Sequence, residues 1–156
     1  MQLEYFQLID RILDLNVAEK TITAEARVPQ TSTIFEGHFP GHPIMPGVLL
    51  IESMAQTCGW LLLALMKFER MPFLAAVKEA KMRGFVTPGE LLTIDANVLH
   101  EGSGYAMTEA RVKVGGKLRC NATLTFSHVP FPSPDMRGYM DAMAKRIGFP
   151  QQVLLS

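Results

Sequence analysis

The chain lacks an excess of charge of either sign, because 15 Lys and Arg residues balance 15 Asp and Glu residues. Without net positive charge the sequence does not fit a general nucleic-acid binder, so we expect no nucleic-acid partner. Charged residues are also scarce, at 19% against roughly 25% in ordinary soluble proteins. Apolar residues make up 48% of the 156 residues. A small chain this apolar is expected to hide surface against another copy, so we predict a homo-oligomer.

Cysteine is rare, and the N-terminal residues lack an export signal. Cys58 and Cys120 are the only cysteines, too few for a disulfide framework and without the CxxC spacing of zinc or redox sites. The opening MQLEYFQLIDR carries acidic groups where a signal peptide carries basic ones. These features predict a cytoplasmic protein.

A long apolar stretch, residues 48–68, approaches the length of a membrane span. It contains four polar side chains that are costly inside a bilayer: Glu52, Ser53, Gln56 and Thr57. We therefore expect no membrane insertion. The stretch instead predicts a buried helix that opens after Pro46-Gly47 and continues to about Arg70, apolar almost all round and wrapped on most sides.

Alternation of apolar and polar residues predicts the strands that would wrap this helix. The clearest alternations cover residues 21–28, 92–98, 106–114 and 118–126, and weaker candidates cover residues 11–17 and 73–82. Residues 92–128 are typical of an antiparallel meander, and residues 29–47 are predicted to form a long ordered loop. The resulting fold class is α+β, with a long central helix wrapped by a curved antiparallel sheet.

The sequence after residue 128 predicts a separate small element. We divide the chain into a domain at residues 1–128 and a Pro-rich segment with an amphipathic helix at residues 129–156, packed on that domain. Ser133 can cap the helix, Pro134 suits its first turn and Gly148 can end it. Its apolar face is expected to provide extra core or an oligomer surface, and comprises Met136, Tyr139, Met140, Met143 and Ile147.

The chemically unusual stretch is residues 35–47, where three prolines and three glycines within eleven residues fix the path of a loop. Such rigidity would hold His38 in a defined orientation, as a general base requires. His42 is expected to be structural. The alternative for His38 is a loop residue that makes one hydrogen bond.

Two features of the helix complete a candidate site. Glu52 is a carboxylate among apolar neighbours, and burial would raise its pKa and suit it to act as an acid. Gly47 places an unpaired backbone N–H at the positive end of the helix dipole. A base, an acid and such a donor together suit removal of a proton α to a thioester carbonyl and expulsion of a β-hydroxyl.

Other interpretations of these residues stay open at this point. Gln56, one turn after Glu52, could simply be the hydrogen-bonding partner of a structural carboxylate. A zinc site is disfavoured, because His38, His42 and Glu52 lack a helical HExxH-like spacing.

The segment FEGHFPGHPIMPGVLLIESMAQTCG closely resembles the signature of the (3R)-hydroxyacyl-[acyl-carrier-protein] dehydratases of the FabZ type, which have the hotdog fold. A weaker resemblance covers about residues 5–128. It implies that His38 is the catalytic histidine and Glu52 the catalytic carboxylate, with the Gly47 N–H as donor to the thioester carbonyl and Gln56 at a matching position. It also implies that His38 of one subunit works with Glu52 of its partner.

The reaction implied by this resemblance removes water from a (3R)-hydroxyacyl thioester to give the trans-2-enoyl product, and it requires no cofactor. The implied partners are an acyl carrier protein and further copies of the chain, as a homodimer or a trimer of dimers. Residues 67–83 carry five basic and two acidic side chains, a net of +3, which suits an acidic carrier. Lys78, Lys81 and Arg83 are the docking candidates.

The sequence also departs from the family pattern and leaves rival functions open. Glu90 replaces the usual Asp of the basic loop, Gly84-Phe85 replaces the more common Arg-Pro, and the C-terminal helix is an addition. These departures suggest specialised or very long acyl chains. The rivals are a hotdog acyl thioesterase, which also uses a carboxylate on the central helix, a non-catalytic subunit that binds acyl carrier, and hydration of acyl-CoA.

Overall fold

A computed structural model describes residues 1–155 as six antiparallel strands, β1 to β6, and three helices, α1 to α3. The sheet has the strand order β1-β2-β4-β5-β6-β3, so β1 and β3 form its two edges. The elements in chain order are β1 Arg11–Asn16, β2 Thr21–Arg27, α1 Thr33–Gly37, α2 Gly47–Leu65, β3 Met71–Met82, β4 Leu91–Gly102, β5 Tyr105–Val114, β6 Lys117–Val129 and α3 Pro134–Arg146.

The predicted alternations become the inner and outer faces of this sheet. In β2, Ile22, Ala24 and Ala26 are buried while their neighbours are not, and the same pattern runs through β4, β5 and β6. Helix α2 contacts β2 to β6, which confirms a central helix wrapped by an antiparallel sheet. The two weaker strand candidates are also confirmed, as the edge strands β1 and β3. Edge strands alternate less clearly because more of their side chains are exposed.

Helix α2 is the one helix in residues 1–155 with the length and hydropathy of a membrane span, and two thirds of its apolar window, 67%, is buried within the domain. That burial confirms the predicted core helix. The predicted end near Arg70 is wrong, because α2 ends at Leu65. Lys67 and Phe68 adopt positive φ angles of 51° and 58°, and this reversal directs the Phe68 ring into the core, where it is 1% exposed.

The predicted loop at residues 29–47 contains a short helix, α1, that the sequence analysis missed. The Ser32 hydroxyl caps α1 by accepting from the Ile34 N–H at 3.1 Å. The Glu4 carboxylate in turn accepts from the Ser32 hydroxyl at 2.7 Å and from the Thr33 N–H at 3.1 Å. Hydrogen bonding, chiefly from Ser32, lowers the pKa of Glu4 to about 2. A five-residue helix held by caps leaves no periodicity to detect.

The predicted C-terminal helix is present as α3. The Ser133 hydroxyl accepts from the Met136 N–H at 3.2 Å, Pro134 begins the helix, and Gly148 follows it with a φ of +72°. Ala144 and Ile147 are buried against the domain. The helix is therefore packed on the body, as its amphipathic pattern predicts.

Candidate active site

His38 follows α1 and is held by its ring and its backbone. Its Nδ1 lies 3.0 Å from the Ile44 carbonyl oxygen. Because a carbonyl only accepts, Nδ1 must carry the proton, which leaves the lone pair of a neutral ring on Nε2. The His38 N–H donates to Ile34 O at 3.0 Å, and the Ile44 N–H donates to His38 O at 3.1 Å. The ring is thus set in the tautomer that a base at Nε2 needs.

The rest of the loop is closed by backbone hydrogen bonds. Phe39 and His42 exchange two, at 2.9 and 2.8 Å, and Met45 N–H donates to Val86 O at 2.7 Å. The Phe39 ring stacks on the His38 ring with centroids 4.1 Å apart. These contacts give the rigidity that the Pro and Gly content predicts, and the His42 backbone takes part in it.

Gly47 begins α2 immediately beside β3. A Cβ at this position would lie 3.3 Å from the Met82 methyl carbon and 3.4 Å from its sulfur, tighter than ordinary packing. The N–H groups of Gly47 and Val48 lie at the positive end of the helix dipole, whereas those of Leu49 and Leu50 donate to the Pro46 carbonyl at 3.0 and 3.3 Å. Val48, the next residue, is 71% exposed, so this end of α2 is accessible to a ligand.

Glu52 and Gln56 lie one turn apart on α2 and are joined by a hydrogen bond. Gln56 Nε2 donates to Glu52 Oε1 at 3.1 Å and to the Phe6 carbonyl at 2.7 Å. Gln56 Oε1 accepts from the Leu8 N–H at 3.1 Å. The amide therefore orients the carboxylate and ties it to the N-terminal segment, which confirms the predicted partnership. Glu52 itself is half-buried.

A cavity of about 280 Å³ is lined by these two residues and by further residues along α2. Glu52 and Gln56 are polar, and the remaining lining is mostly apolar, with Gly59, Trp60 and Leu63 from α2, Met71, Pro72 and Leu74 from β3, and Tyr139, Met140 and Met143 from α3. His38 does not line this cavity within residues 1–155. One copy of the chain thus brings Glu52 and Gln56 together but leaves His38 outside their cavity.

Two parts of the site were missed by the sequence analysis. The Phe6 carbonyl is a backbone group, so no side-chain pattern reveals its contact with Gln56. The contribution of α3 to the cavity was also missed, although its stripe of Tyr139, Met140 and Met143 was visible. Such a stripe is ordinarily core, and only the tertiary structure places it over an open space.

The three docking candidates lie in and just after β3. Lys78, Lys81 and Arg83 are exposed, and Arg83 Nε donates to Asn121 Oδ1 at 2.7 Å on β6. Within residues 1–155, no three His, Cys, Asp or Glu side chains are grouped so that they could hold a metal ion.

Glu90, the departure from the family pattern, anchors the segment that supports the His38 loop. It forms ion pairs with Arg119 at 3.3 and 3.4 Å and accepts from the Thr87 N–H at 2.8 Å. Partial burial raises the pKa of Glu90, but the hydrogen bonds from Thr87 and the charge of Arg119 outweigh it and hold the pKa below its usual value. The segment fixed in this way includes Val86, whose carbonyl binds Met45 N–H.

Comparison of structures identifies the fold. A hypothetical thioesterase protein from Streptococcus pneumoniae, solved with coenzyme A, has a TM-score of 0.62 at 16% identity, covering 79% of this chain and 88% of that one. The dehydratase heterocomplex ApeI:P from Xenorhabdus doucetiae has a TM-score of 0.64 at 15% identity, covering 87% and 90%. Likenesses at this identity establish the hotdog fold but do not select a reaction.

Comparison of sequences is more selective. The FabA-like domain family matches residues 1–123. The 3-hydroxyacyl-[acyl-carrier-protein] dehydratase FabZ of Levilactobacillus brevis is 40% identical over 119 residues, which cover 76% of this chain and 80% of that protein. The FabZ protein of Streptococcus pneumoniae is 40% identical over 123 residues, which cover 77% and 85%. The chain therefore belongs to the FabA-like family, within the FabZ-type 3-hydroxyacyl-[acyl-carrier-protein] dehydratases.

Proposed function

We propose that the chain removes water from a (3R)-hydroxyacyl thioester carried on acyl carrier protein and releases the trans-2-enoyl thioester. The observation that carries this proposal is the hydrogen bond from His38 Nδ1 to the Ile44 carbonyl, at 3.0 Å. It leaves the Nε2 lone pair for proton abstraction. Thioester hydrolysis by water activation has no specific need for a histidine in this fixed loop.

Each candidate residue has one task in the proposed reaction. His38 Nε2 takes the α-proton, and the electron pair of the broken C–H bond forms the new double bond. The Gly47 N–H donates to the thioester carbonyl oxygen while negative charge develops there. Glu52, in its protonated form, gives its proton to the departing β-hydroxyl, which leaves as water. Gln56 positions Glu52, and transfer of the proton from His38 to Glu52 restores the starting state.

A second copy of the chain completes the proposed site. His38 lies outside the cavity of its own Glu52 within residues 1–155, and β3 is an edge strand with one unpaired side. Three large apolar side chains of β3 are exposed: Phe73 by 60%, Val77 by 38% and Met82 by 46%. These features support a homodimer through β3, in which His38 of the partner subunit approaches Glu52. A trimer of such dimers is the larger assembly that we consider.

We further assign carrier docking to Lys78, Lys81 and Arg83. Lys78 and Lys81 are exposed on the same strand as Met82, and Arg83 directly follows it. Met82 lies against the Gly47 end of α2. A carrier bound there would bring its thioester to the helix start over a short distance. We place the reaction in the cytoplasm, in keeping with Cys58 and Cys120, which are buried free thiols.

The test is hydration of a trans-2-enoyl thioester on acyl carrier protein, followed by loss of enoyl absorbance. Wild type is expected to hydrate it, and His38→Ala and Glu52→Gln are each expected to lose the rate while staying folded and oligomeric. The matched control is His42→Ala, which removes an exposed histidine of the same loop and should keep the rate. Release of free thiol would overturn the proposal in favour of a thioesterase. The absence of any reaction with every carrier would overturn it in favour of a non-catalytic binding subunit.

Mixing the two inactive variants tests the shared site directly. If the site is formed by two subunits, a mixed dimer contains one complete site built from the intact His38 of one copy and the intact Glu52 of the other. Random exchange of subunits should then restore about one quarter of the wild-type rate. An absence of restored activity after verified exchange would place both groups in one subunit.

A further inference from the structure

Helix α3 is fixed to the domain at both ends. Near its start, Arg137 Nη1 donates to the Phe68 carbonyl at 2.5 Å, and its guanidinium lies 5.2 Å from the centre of the Phe68 ring. Beyond its end, the Ile147 carbonyl accepts from the Ile12 N–H at 2.8 Å. Ile147 and Phe149 are 0% and 3% exposed. Both ends of α3 are therefore anchored to the folded domain.

Between these anchors, α3 spans an open space. Tyr139, Met140 and Met143 line the cavity that begins at Glu52. Tyr139 is 52% exposed, and the two methionines are only half-buried. A helix held at its ends that presents unbranched methionines to a cavity forms an adaptable apolar wall, because methionine side chains adjust to the shape of their contacts.

The cavity has the direction and length of an acyl binding site. Along α2 its lining runs from Glu52 through Gln56 and Gly59 to Leu63, which is about 16 Å at the rise of an α-helix. An extended chain advances about 3.5 Å for every three bonds, so this distance accommodates about a dozen methylenes. The polar groups lie at one end of the cavity and its apolar lining follows them, as an acyl chain with a polar head requires.

The wall comes from a part of the chain outside the family match. That match ends at residue 123, whereas α3 starts at Pro134. The groups proposed for the reaction all lie within the matched residues. The shape of the cavity is therefore separable from the chemistry, because its outer side is built by a different segment.

We propose that α3 sets the acyl-chain length of this enzyme, with Tyr139, Met140 and Met143 as specificity-determining residues that close the cavity over the chain. The substrate class is a straight-chain (3R)-hydroxyacyl thioester of up to about a dozen methylenes. This inference rests on the proposed dehydratase function, because it takes Glu52 to mark the reacting end of the substrate.

The first test changes the depth of the cavity at two opposite surfaces. Gly59→Leu fills it from α2, and a Cβ there would meet only Pro72 Cγ, at an ordinary 3.8 Å. Met143→Trp fills it from α3. Both are expected to lower the ratio of kcat/KM for twelve-carbon to four-carbon enoyl thioester at least about tenfold. The combined variant Met140→Ala, Met143→Ala should shift the preference towards longer chains.

Gly138→Leu is the matched control for these substitutions. Gly138 is exposed on α3 and has open space around a Cβ, so the added side chain stays outside the cavity. Its chain-length profile should equal that of wild type. A profile unchanged by Gly59→Leu, by Met143→Trp and by the double alanine variant, in proteins with a wild-type thermal midpoint, would overturn the inference while leaving the dehydratase function standing.

The second test measures occupancy without catalysis. Trp60 lines the cavity and is the only tryptophan of the chain, so its fluorescence reports on a chain bound there. A dodecanoyl pantetheine with bromine on its terminal carbon should quench the fluorescence of Trp60. In this test Met143→Phe takes the place of Met143→Trp, so that the protein keeps a single tryptophan. If Gly59→Leu weakens the quenching, the result supports an acyl chain in the cavity, even where no hydration is found. If an active enzyme shows no quenching, the acyl cavity is refuted.

Discussion

The two halves of helix α2 have different roles in the protein. The first half, residues 47–56, carries an exposed Val48 and the half-buried pair Glu52 and Gln56. The second half, residues 57–65, is mostly sealed within the sheet. Its most buried side chains are at most 1% exposed, namely Thr57, Cys58, Leu61, Leu62 and Leu63. One element thus presents reactive groups at one end and holds the core together at the other.

The polar side chains of α2 differ in where they find their hydrogen-bond partners. The buried hydroxyls of Ser53 and Thr57 donate to the carbonyls of Leu49 and Ser53, at 3.0 and 2.9 Å. Their hydrogen-bonding needs are met inside the helix itself. Glu52 instead faces the cavity, with Gln56 as its partner. Changes at Glu52 and Gln56 should therefore reduce activity, whereas changes at the buried positions of the second half that do not line the cavity should reduce stability.

The largest effect is expected from Glu52→Gln. The amide keeps the size of the side chain but cannot supply the acidic proton, so kcat for hydration should fall about 10²- to 10⁴-fold. Thermal unfolding should stay close to that of wild type, because the amide oxygen can still accept the hydrogen bond from Gln56 Nε2. Ser53→Ala, at the next position, is the control and should keep kcat. A Glu52→Gln protein with wild-type kcat would remove Glu52 from the reaction.

The opposite outcome is expected for Leu62→Ala in the second half. Leu62 is 1% exposed and does not line the cavity, so its truncation should cost about 2 to 5 kcal/mol of unfolding free energy. The rate per folded molecule should stay at the wild-type value when measured well below the unfolding transition. Chemical denaturation measures the stability, and kinetics normalised to folded protein measure the rate. A loss of kcat in folded Leu62→Ala protein would contradict a purely structural role for this position.

An intermediate result is expected for Gln56→Met, which lies at the boundary. The substitution keeps the length of the side chain but removes the hydrogen bonds to Glu52, Phe6 O and Leu8 N. We expect a loss of about 1 to 3 kcal/mol of stability and a fall in kcat of about tenfold as Glu52 loses its orientation. Because Gln56 is a positioning residue, the pH dependence of kcat should also shift. A stability loss with unchanged kcat and pH profile would make Gln56 purely structural.

The smallest effect concerns the reactivity of thiols at buried and exposed positions. Burial raises the pKa of Cys58 to about 12, so at pH 8 the thiol is neither ionised nor accessible. Burial likewise raises the pKa of Cys120 to about 11. Native protein should resist iodoacetamide at both cysteines, and urea should expose both. Val48→Cys should add one reactive thiol in the native state, and rapid native labelling of Cys58 would contradict its described burial.

Much of the fold follows from local pattern, because buried and exposed faces impose a period on the residues that form them. The alternations of β2 and β4 to β6 and the caps of α3 are of this kind. The end of α2 is different, since Lys67 and Phe68 turn there to bury the Phe68 ring against Trp60 and Phe149, at 6.2 and 5.3 Å between ring centres. Phe149 comes from a distant part of the chain, so its contact with Phe68 leaves no local signal.

The candidate site divides in the same way. His38, Gly47, Glu52 and Gln56 lie close together in sequence, in a stretch whose composition is unusual, and the bond between Glu52 and Gln56 follows from helical spacing. The role of α3 depends on where a remote helix docks. Whether a stripe of methionines fills a core or lines a cavity is decided by its anchors at Phe68 and Ile12, which no periodicity encodes.

The two edges of the sheet bear on how the protein behaves when concentrated. The outer side of β1 is short, and its Ile12 amide is already engaged by the Ile147 carbonyl. The outer side of β3 runs along a twelve-residue strand interrupted by two irregularities, between Leu74 and Ala76 and between Lys78 and Lys81. A sheet with one blunted edge and one open edge adds a single neighbour through its open side and then stops growing. Open-ended fibres are thereby disfavoured, although an unpaired β edge is otherwise a template for aggregation.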